Sequence, residues 1–150
     1  MQINIRASYD DFRSLRENNG YYIDKTEILE EYLNRRFEKT VLFARPRRFG
    51  KTLTMTMFRD FLDIRQNSED IFSGLKIMEY ADVVAGFMNQ YPVVFLSLKE
   101  VFGVSYAEIS GAFRLKVANL CKSFEDLLNH EGINEYDKAI FRDLENQKAD

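Results

Sequence analysis

The sequence predicts an α/β fold in which a parallel sheet is flanked by helices. Two apolar runs without polar alternation, Thr40 to Ala44 and Pro92 to Leu98, are typical of strands that are buried on both faces. Outside these runs, apolar residues recur at intervals of three and four, which indicates amphipathic helices. The 150 residues suit a single domain with a sizeable core.

Six predicted helices accompany the two strands, and they cover residues 10–18, 24–36, 51–64, 78–90, 105–128 and 134–147. Asp24 is predicted to cap the second of them, with Glu27 three residues later as in a capping box. Ser105 and Glu108 give the fifth helix the same pattern. Apolar residues on one face of the helix over 51–64 predict its buried side, namely Leu53, Met57, Phe58, Phe61 and Leu62.

Composition excludes several classes of protein. Apolar residues make up 45% of the chain and charged residues 30%, which is typical of a globular protein. The net charge of −3 does not favour general affinity for nucleic acid. The single cysteine cannot form an internal disulfide and fits a cytoplasmic protein. With one cysteine and one histidine in the whole chain, a zinc site is not expected. The sequence has no apolar run of about 20 residues, so no membrane span is expected.

The segment from Val41 to Thr52 joins a predicted strand to a predicted helix through a basic turn. Its last eight residues, R-P-R-R-F-G-K-T, fit the phosphate-binding pattern G-x-x-x-x-G-K-[ST] except at the first position, where Arg45 replaces Gly. Strand, loop and helix N-terminus follow each other as a P-loop requires. A chance G-K-T in an arginine-rich surface turn is the alternative.

The residue types of this loop suit the phosphates of a nucleotide. Gly50 allows close approach of the backbone, Lys51 brings a charge to the β- and γ-phosphates, and the Thr52 hydroxyl is a ligand for Mg²⁺. Lys51 is also the candidate catalytic residue, and Thr52 the candidate metal ligand. The predicted nucleotide-binding residues are Arg47, Arg48, Phe49, Gly50, Lys51, Thr52 and Leu53.

The chain resembles the bacterial and archaeal AAA-ATPase-like family in four motifs that occur in the same order. Besides the degenerate Walker A loop, they are G-Y-Y-I-D-K-T at 20–26, I-F-S-G-L-K-I at 71–77 and Y-P-V-V-F-L-S-L at 91–98. Arg45 is an expected feature of that family. The resemblance covers nearly the whole chain and implies a P-loop NTPase-like fold that binds ATP and Mg²⁺. The domain organisation predicted from it is a helical lead-in over 1–39 and a P-loop core over 40–150.

The resemblance also raises expectations about a longer protein. In that family the acidic Walker B strand follows the four motifs, and a nuclease-like domain of the PD-(D/E)xK type commonly comes after it. The chain therefore looks like the N-terminal part of an ATPase, with an incomplete sheet whose open edge invites homo-oligomerisation. Alone, it is expected to bind nucleotide weakly at best and not to turn it over at a useful rate.

Asp24 has two interpretations. As a helix cap it needs no ligand, whereas the family resemblance places its segment beside the base or sugar of the nucleotide. The loop as a whole has two alternatives to ATP binding. Its arginines could contact nucleic-acid phosphates, against which the acidic net charge weighs. It could also belong to a scaffold that has lost catalysis.

Overall fold

The computed structural model describes residues 9–34, 40–44, 46 and 48–147. Two 3₁₀ helices, Lys76–Glu79 and Glu125–Asn129, occur in these parts together with seven α-helices. The α-helices are α1 (Phe12–Glu17), α2 (Glu27–Leu33), α3 (Lys51–Leu62), α4 (Glu69–Phe72), α5 (Ala81–Phe87), α6 (Tyr106–Lys122) and α7 (Glu135–Glu145). Over the described residues, no helix combines the length and apolar character that crossing a membrane requires.

The chain divides into two compact units, Met1–Val93 and Val94–Asp150. This division concerns spatial clustering and does not test the boundary predicted at residue 40, which stays a prediction. The first unit contains the candidate loop and most of the buried apolar side chains.

Aromatic side chains form the centre of the first unit. Phe72 of α4 is fully buried, and its ring lies 4.9 Å from that of Phe12 in α1 and 5.2 Å from that of Phe61 in α3. The N–H of Phe12 donates a hydrogen bond of 3.0 Å to the buried Thr56 Oγ1, which fastens the start of α1 to α3. Helix α3 is therefore held from its buried side, while its N-terminus remains at the surface.

A polar cluster fixes the C-terminal end of α3. The Asn89 side-chain amide donates to the carbonyls of Asp60, at 3.2 Å, and Asp63, at 2.9 Å. Its own oxygen accepts from the N–H of Ser68 at 3.1 Å. The buried Asp60 carboxylate pairs with Arg59 at 2.6 Å, and burial nevertheless raises the pKa of Asp60 above its usual value. Because buried polar groups need partners, this cluster defines where α3 ends.

In the second unit, α6 and α7 pack against each other. Ser105 caps α6 as predicted, since its hydroxyl accepts from the N–H of Glu108 at 3.3 Å. Asn134 caps α7 in the same way, accepting from the N–H of Asp137 at 2.8 Å. Ala118 and Cys121 are buried in this unit.

The predicted parallel sheet is wrong, because the described residues form no sheet. Residues 40–44 and 92–98 belong to no helix and pair with no neighbouring strand among them. The parallel bridge between Asp63 and Tyr91 is isolated and does not extend into a ladder. The P-loop NTPase-like sheet flanked by helices is thus replaced, over these residues, by packed helices.

The error has a physical cause. An apolar run indicates that side chains favour burial, but it does not supply the second strand that satisfies the backbone N–H and C=O groups. In the segment 92–98 alternate side chains reach solvent, and Val94 is 65% exposed. Pro92 also lacks the N–H that a ladder needs. Apolar content therefore did not predict whether this segment pairs with a second strand.

Candidate functional site

The candidate loop ends where α3 begins. Gly50 has φ of 73°, in the left-handed region, and it is the residue that precedes the first helical residue, Lys51. The first hydrogen bond of the helix runs from the N–H of Thr54 to the carbonyl of Gly50, at 2.8 Å. The N–H groups that come before Thr54 at the helix start lack intrahelical acceptors and lie at the positive end of the helix dipole.

Backbone conformation at the loop is unusual at a second position. Arg48 also has a positive φ, 67°, which a residue with a Cβ rarely adopts. Strain of this kind typically costs about 1–3 kcal/mol and concentrates at ligand-binding turns. The two positive values, at Arg48 and Gly50, shape the exposed end of the loop. Arg45 and Arg47, predicted to belong to the same loop, lie outside the described residues.

The Lys51 side chain folds back over the loop. Its Nζ donates a hydrogen bond of 3.0 Å to the carbonyl oxygen of Pro46. The ammonium group therefore already lies on the loop side of the helix N-terminus. An anion at this position would compete with the Pro46 carbonyl for the lysine.

The remaining predicted site residues occupy different environments. Thr52 is exposed, so its hydroxyl is accessible, and the ring of Phe49 is 62% exposed. Leu53 is half-buried and packs against the apolar core of the first unit. Leu53 therefore stabilises the helix start, and its side chain is less suited than those of Phe49 and Thr52 to contact a ligand.

A cavity of about 190 Å³ lies beside the loop. One side is formed by the loop and α3 and the other by the segment Tyr21 to Lys25; the lining residues are Tyr21, Tyr22, Ile23, Lys25, Phe49, Gly50, Leu53 and Thr54. Sequence reasoning did not place Tyr21, Tyr22, Ile23 or Thr54 in the site. The available signal was the motif at 20–26, but its proximity to the loop depends on tertiary packing.

The Asp24 carboxylate holds the upstream segment of this cavity. It accepts hydrogen bonds from the N–H and Oγ1 of Thr26, at 2.9 and 2.7 Å, and from the N–H of Lys76, at 2.8 Å. Burial acts to raise the pKa of Asp24, but these hydrogen bonds outweigh it and the net pKa lies below its usual value. Asp24 is consequently ionised at neutral pH.

The predicted capping box at Asp24 is wrong in its details. Helix α2 begins at Glu27 after Thr26, and no side chain caps it. Glu27 instead pairs with the side chain of Lys76 at 2.8 Å, in an exposed ion pair. The reason is that Asp24 lies two residues before Thr26, which precedes α2, and its carboxylate accepts from Thr26 and from the N–H of Lys76.

The fit to magnesium depends on oxygen donors, which this ion prefers. The described residues contain no group of three or more His, Cys, Asp and Glu side chains that could hold a metal ion. The exposed Thr52 hydroxyl, next to Lys51 at the helix start, is a suitable single ligand. It fits a Mg²⁺ ion whose other ligands are phosphate oxygens and water.

The comparisons with known proteins give one family. The family model described as "Predicted AAA-ATPase" matches residues 6–150, which includes the loop, the cavity segment and all the described helices. No curated protein and no solved structure matches the chain. Because the match spans nearly the whole sequence, the chain belongs to the AAA-ATPase-like family.

Proposed function

We propose that the chain binds ATP with Mg²⁺ at the loop formed by residues 45–52. The observation that carries this proposal is the left-handed Gly50 at the start of α3, followed directly by Lys51. This arrangement presents backbone N–H groups, a helix dipole and an ammonium group to one exposed position, as triphosphate binding requires. Membership of the AAA-ATPase-like family supports nucleotide binding in general.

The predicted residues other than Leu53 each have a role in this proposal. The backbone around Phe49 and Gly50 contacts the phosphates, and Lys51 stabilises the charge of the β- and γ-phosphates. The guanidinium groups of Arg47 and Arg48 add positive charge that can bind phosphate in a bidentate way. Thr52 would hold Mg²⁺, which neutralises phosphate charge when bound. Lys51 is also the candidate for stabilising the transition state of hydrolysis.

Hydrolysis needs a further group. Phosphoryl transfer to water requires a residue that orients the attacking water. We propose that a longer protein supplies this residue on its Walker B strand, together with the nuclease-like domain common in the family. Homo-oligomerisation and a cytoplasmic location remain predictions from the sequence.

The neighbouring cavity is the proposed place for the base and sugar. Its walls carry two exposed aromatic rings, since Tyr21 is 58% and Phe49 62% exposed. Stacking of a base on an aromatic ring contributes about 1–3 kcal/mol. This is compatible with the second interpretation of Asp24, in which its segment lies beside the base or sugar of the nucleotide.

Thermal unfolding with two ligands tests the proposal. With MgATP at about 100 times its Kd, binding stabilises the folded chain by about 2.7 kcal/mol. For a chain of this size, we expect the Tm to rise by about 5–10 °C, and a short DNA duplex to leave it unchanged. A rise with duplex alone would instead favour nucleic-acid phosphate binding. No rise with either ligand would leave a scaffold without a phosphate site.

Thr52→Val tests the metal ligand. Valine keeps the shape of threonine but removes the hydroxyl, so the gain in ATP affinity that Mg²⁺ brings is expected to fall about tenfold. Calorimetric titrations of ATP in MgCl₂ and in EDTA measure this gain as a ratio. Thr40→Val, which removes a hydroxyl from an exposed threonine that does not line the cavity, serves as the matched control and should keep the ratio. An unchanged ratio in Thr52→Val would remove Thr52 from the metal site.

A further inference from the structure

We propose that Asp24 is a positioning residue, which fastens one wall of the cavity and thereby sets the affinity for the base and sugar of the nucleotide. This inference rests on the proposed function. It concerns the segment Tyr21 to Lys25, which lines the cavity opposite the loop. The carboxylate itself is not expected to contact the ligand, because other groups occupy its oxygens.

The two oxygens of Asp24 have different partners. Oδ1 accepts from both the N–H and the hydroxyl of Thr26, and so closes a tight turn before α2. Oδ2 accepts from the N–H of Lys76 at 2.8 Å, at the start of the 3₁₀ helix that is 52 residues away in sequence. One carboxylate therefore joins the wall segment to a distant part of the first unit.

Thr26 extends this connection. Its side chain is fully buried, and because its hydroxyl hydrogen goes to Asp24, its oxygen is oriented to accept. It accepts from the N–H of Ile77 at 3.1 Å. Two consecutive backbone N–H groups, those of Lys76 and Ile77, are thus held by Asp24 and by the hydroxyl that Asp24 orients.

The wall is fastened at a second point by Tyr22. The Tyr22 hydroxyl contacts Met57 Sδ of α3 at 3.4 Å, and its ring packs edge-on against Phe12 at 5.4 Å. Between and beside these two anchors, Tyr21 and Ile23 are exposed. The anchors at Tyr22 and Asp24 therefore determine where the accessible side chains of the wall lie relative to Phe49 and Gly50.

The experiment separates the wall from the phosphate loop by using two ligands. Isothermal titration with MgATP reports on both parts, whereas magnesium tripolyphosphate, which has no base or sugar, reports on the loop alone. In Asp24→Asn, an amide group replaces one oxygen and cannot accept from both partners. We expect the Kd for ATP to rise about tenfold, and the Kd for tripolyphosphate to stay within about twofold of the wild type.

Further variants keep the test valid if Asp24→Asn folds poorly. Thr26→Val removes the oriented hydroxyl and should also raise the Kd for ATP. Thr26→Ser keeps a hydroxyl at this position and should bind ATP like the wild type. Lys76→Ala is the matched control. It removes the exposed ion pair with Glu27 but keeps the backbone N–H that binds Asp24, so both affinities should be unchanged.

Several results would overturn the inference. Equal weakening of ATP and tripolyphosphate would mean that Asp24 supports only the fold, and an unchanged ATP affinity would mean that the wall does not depend on it. A wild-type chain that binds both ligands equally tightly would show that the wall contributes nothing. If the wild-type chain binds neither ligand, the proposed function itself fails, which is a distinct outcome.

Discussion

Replacing Lys51 with alanine is expected to weaken MgATP binding by about 10- to 100-fold, the range that corresponds to loss of a hydrogen bond with a charged group. The lysine is the first residue of α3 and directly follows the left-handed Gly50. No change in backbone is needed to accommodate alanine at a helix start. The loss should therefore reflect the missing ammonium group, together with the loss of its hydrogen bond to the Pro46 carbonyl.

Calorimetry with the two ligands used for Asp24 makes this prediction specific. Because Lys51 acts on the phosphates, Lys51→Ala should weaken tripolyphosphate and ATP by the same factor. Lys138→Ala removes a lysine from the second unit, where it pairs with Glu135 at 2.9 Å, and should change neither affinity. A well-folded Lys51→Ala chain with wild-type affinity for both ligands would contradict the assignment of the loop.

Phe72→Ala is expected to lower the free energy of unfolding by about 3–5 kcal/mol, the usual range for a buried phenylalanine. The side chain is fully buried, and its ring contacts those of Phe12 and Phe61. Its removal leaves a cavity between α1, α3 and α4, and these three helices are too short to be stable without packing. Guanidinium unfolding followed by circular dichroism measures the change.

An exposed phenylalanine provides the comparison for Phe72. Phe102 is 77% exposed, so Phe102→Ala should alter the free energy of unfolding by no more than about 0.5 kcal/mol. A loss below about 1 kcal/mol in Phe72→Ala would mean that the core relaxes around the gap. In that case the aromatic cluster would not be the main support of α3.

The longer helices were predictable from the sequence because their signals are local, whereas the single-turn helix α4 was not predicted. The helix predicted over 51–64 is observed as Lys51–Leu62, and Met57, Phe58 and Phe61 are buried as expected. The cap at Ser105 is likewise observed, since a cap involves residues three apart. The strands were not predictable in the same way, because pairing depends on a partner that is distant in sequence.

The candidate site shows the same distinction. Gly50 and Lys51 follow each other in the chain, so the sequence alone placed them at a helix start. The cavity, in contrast, joins Tyr21 to Phe49 across 28 positions of sequence. The sequence predicted Asp24 as a local helix cap, because its partner at Lys76 lies 52 residues away and has no local signal.

The contact between Lys51 Nζ and the Pro46 carbonyl has a consequence for measured affinity. If phosphate binding requires the lysine to leave this carbonyl, the apparent Kd equals the intrinsic Kd divided by the fraction of chains that have released it. If one molecule in about ten has released the lysine, the apparent affinity falls about tenfold. Any contact elsewhere in a larger assembly that moves the Pro46 carbonyl away would therefore raise nucleotide affinity without touching the nucleotide.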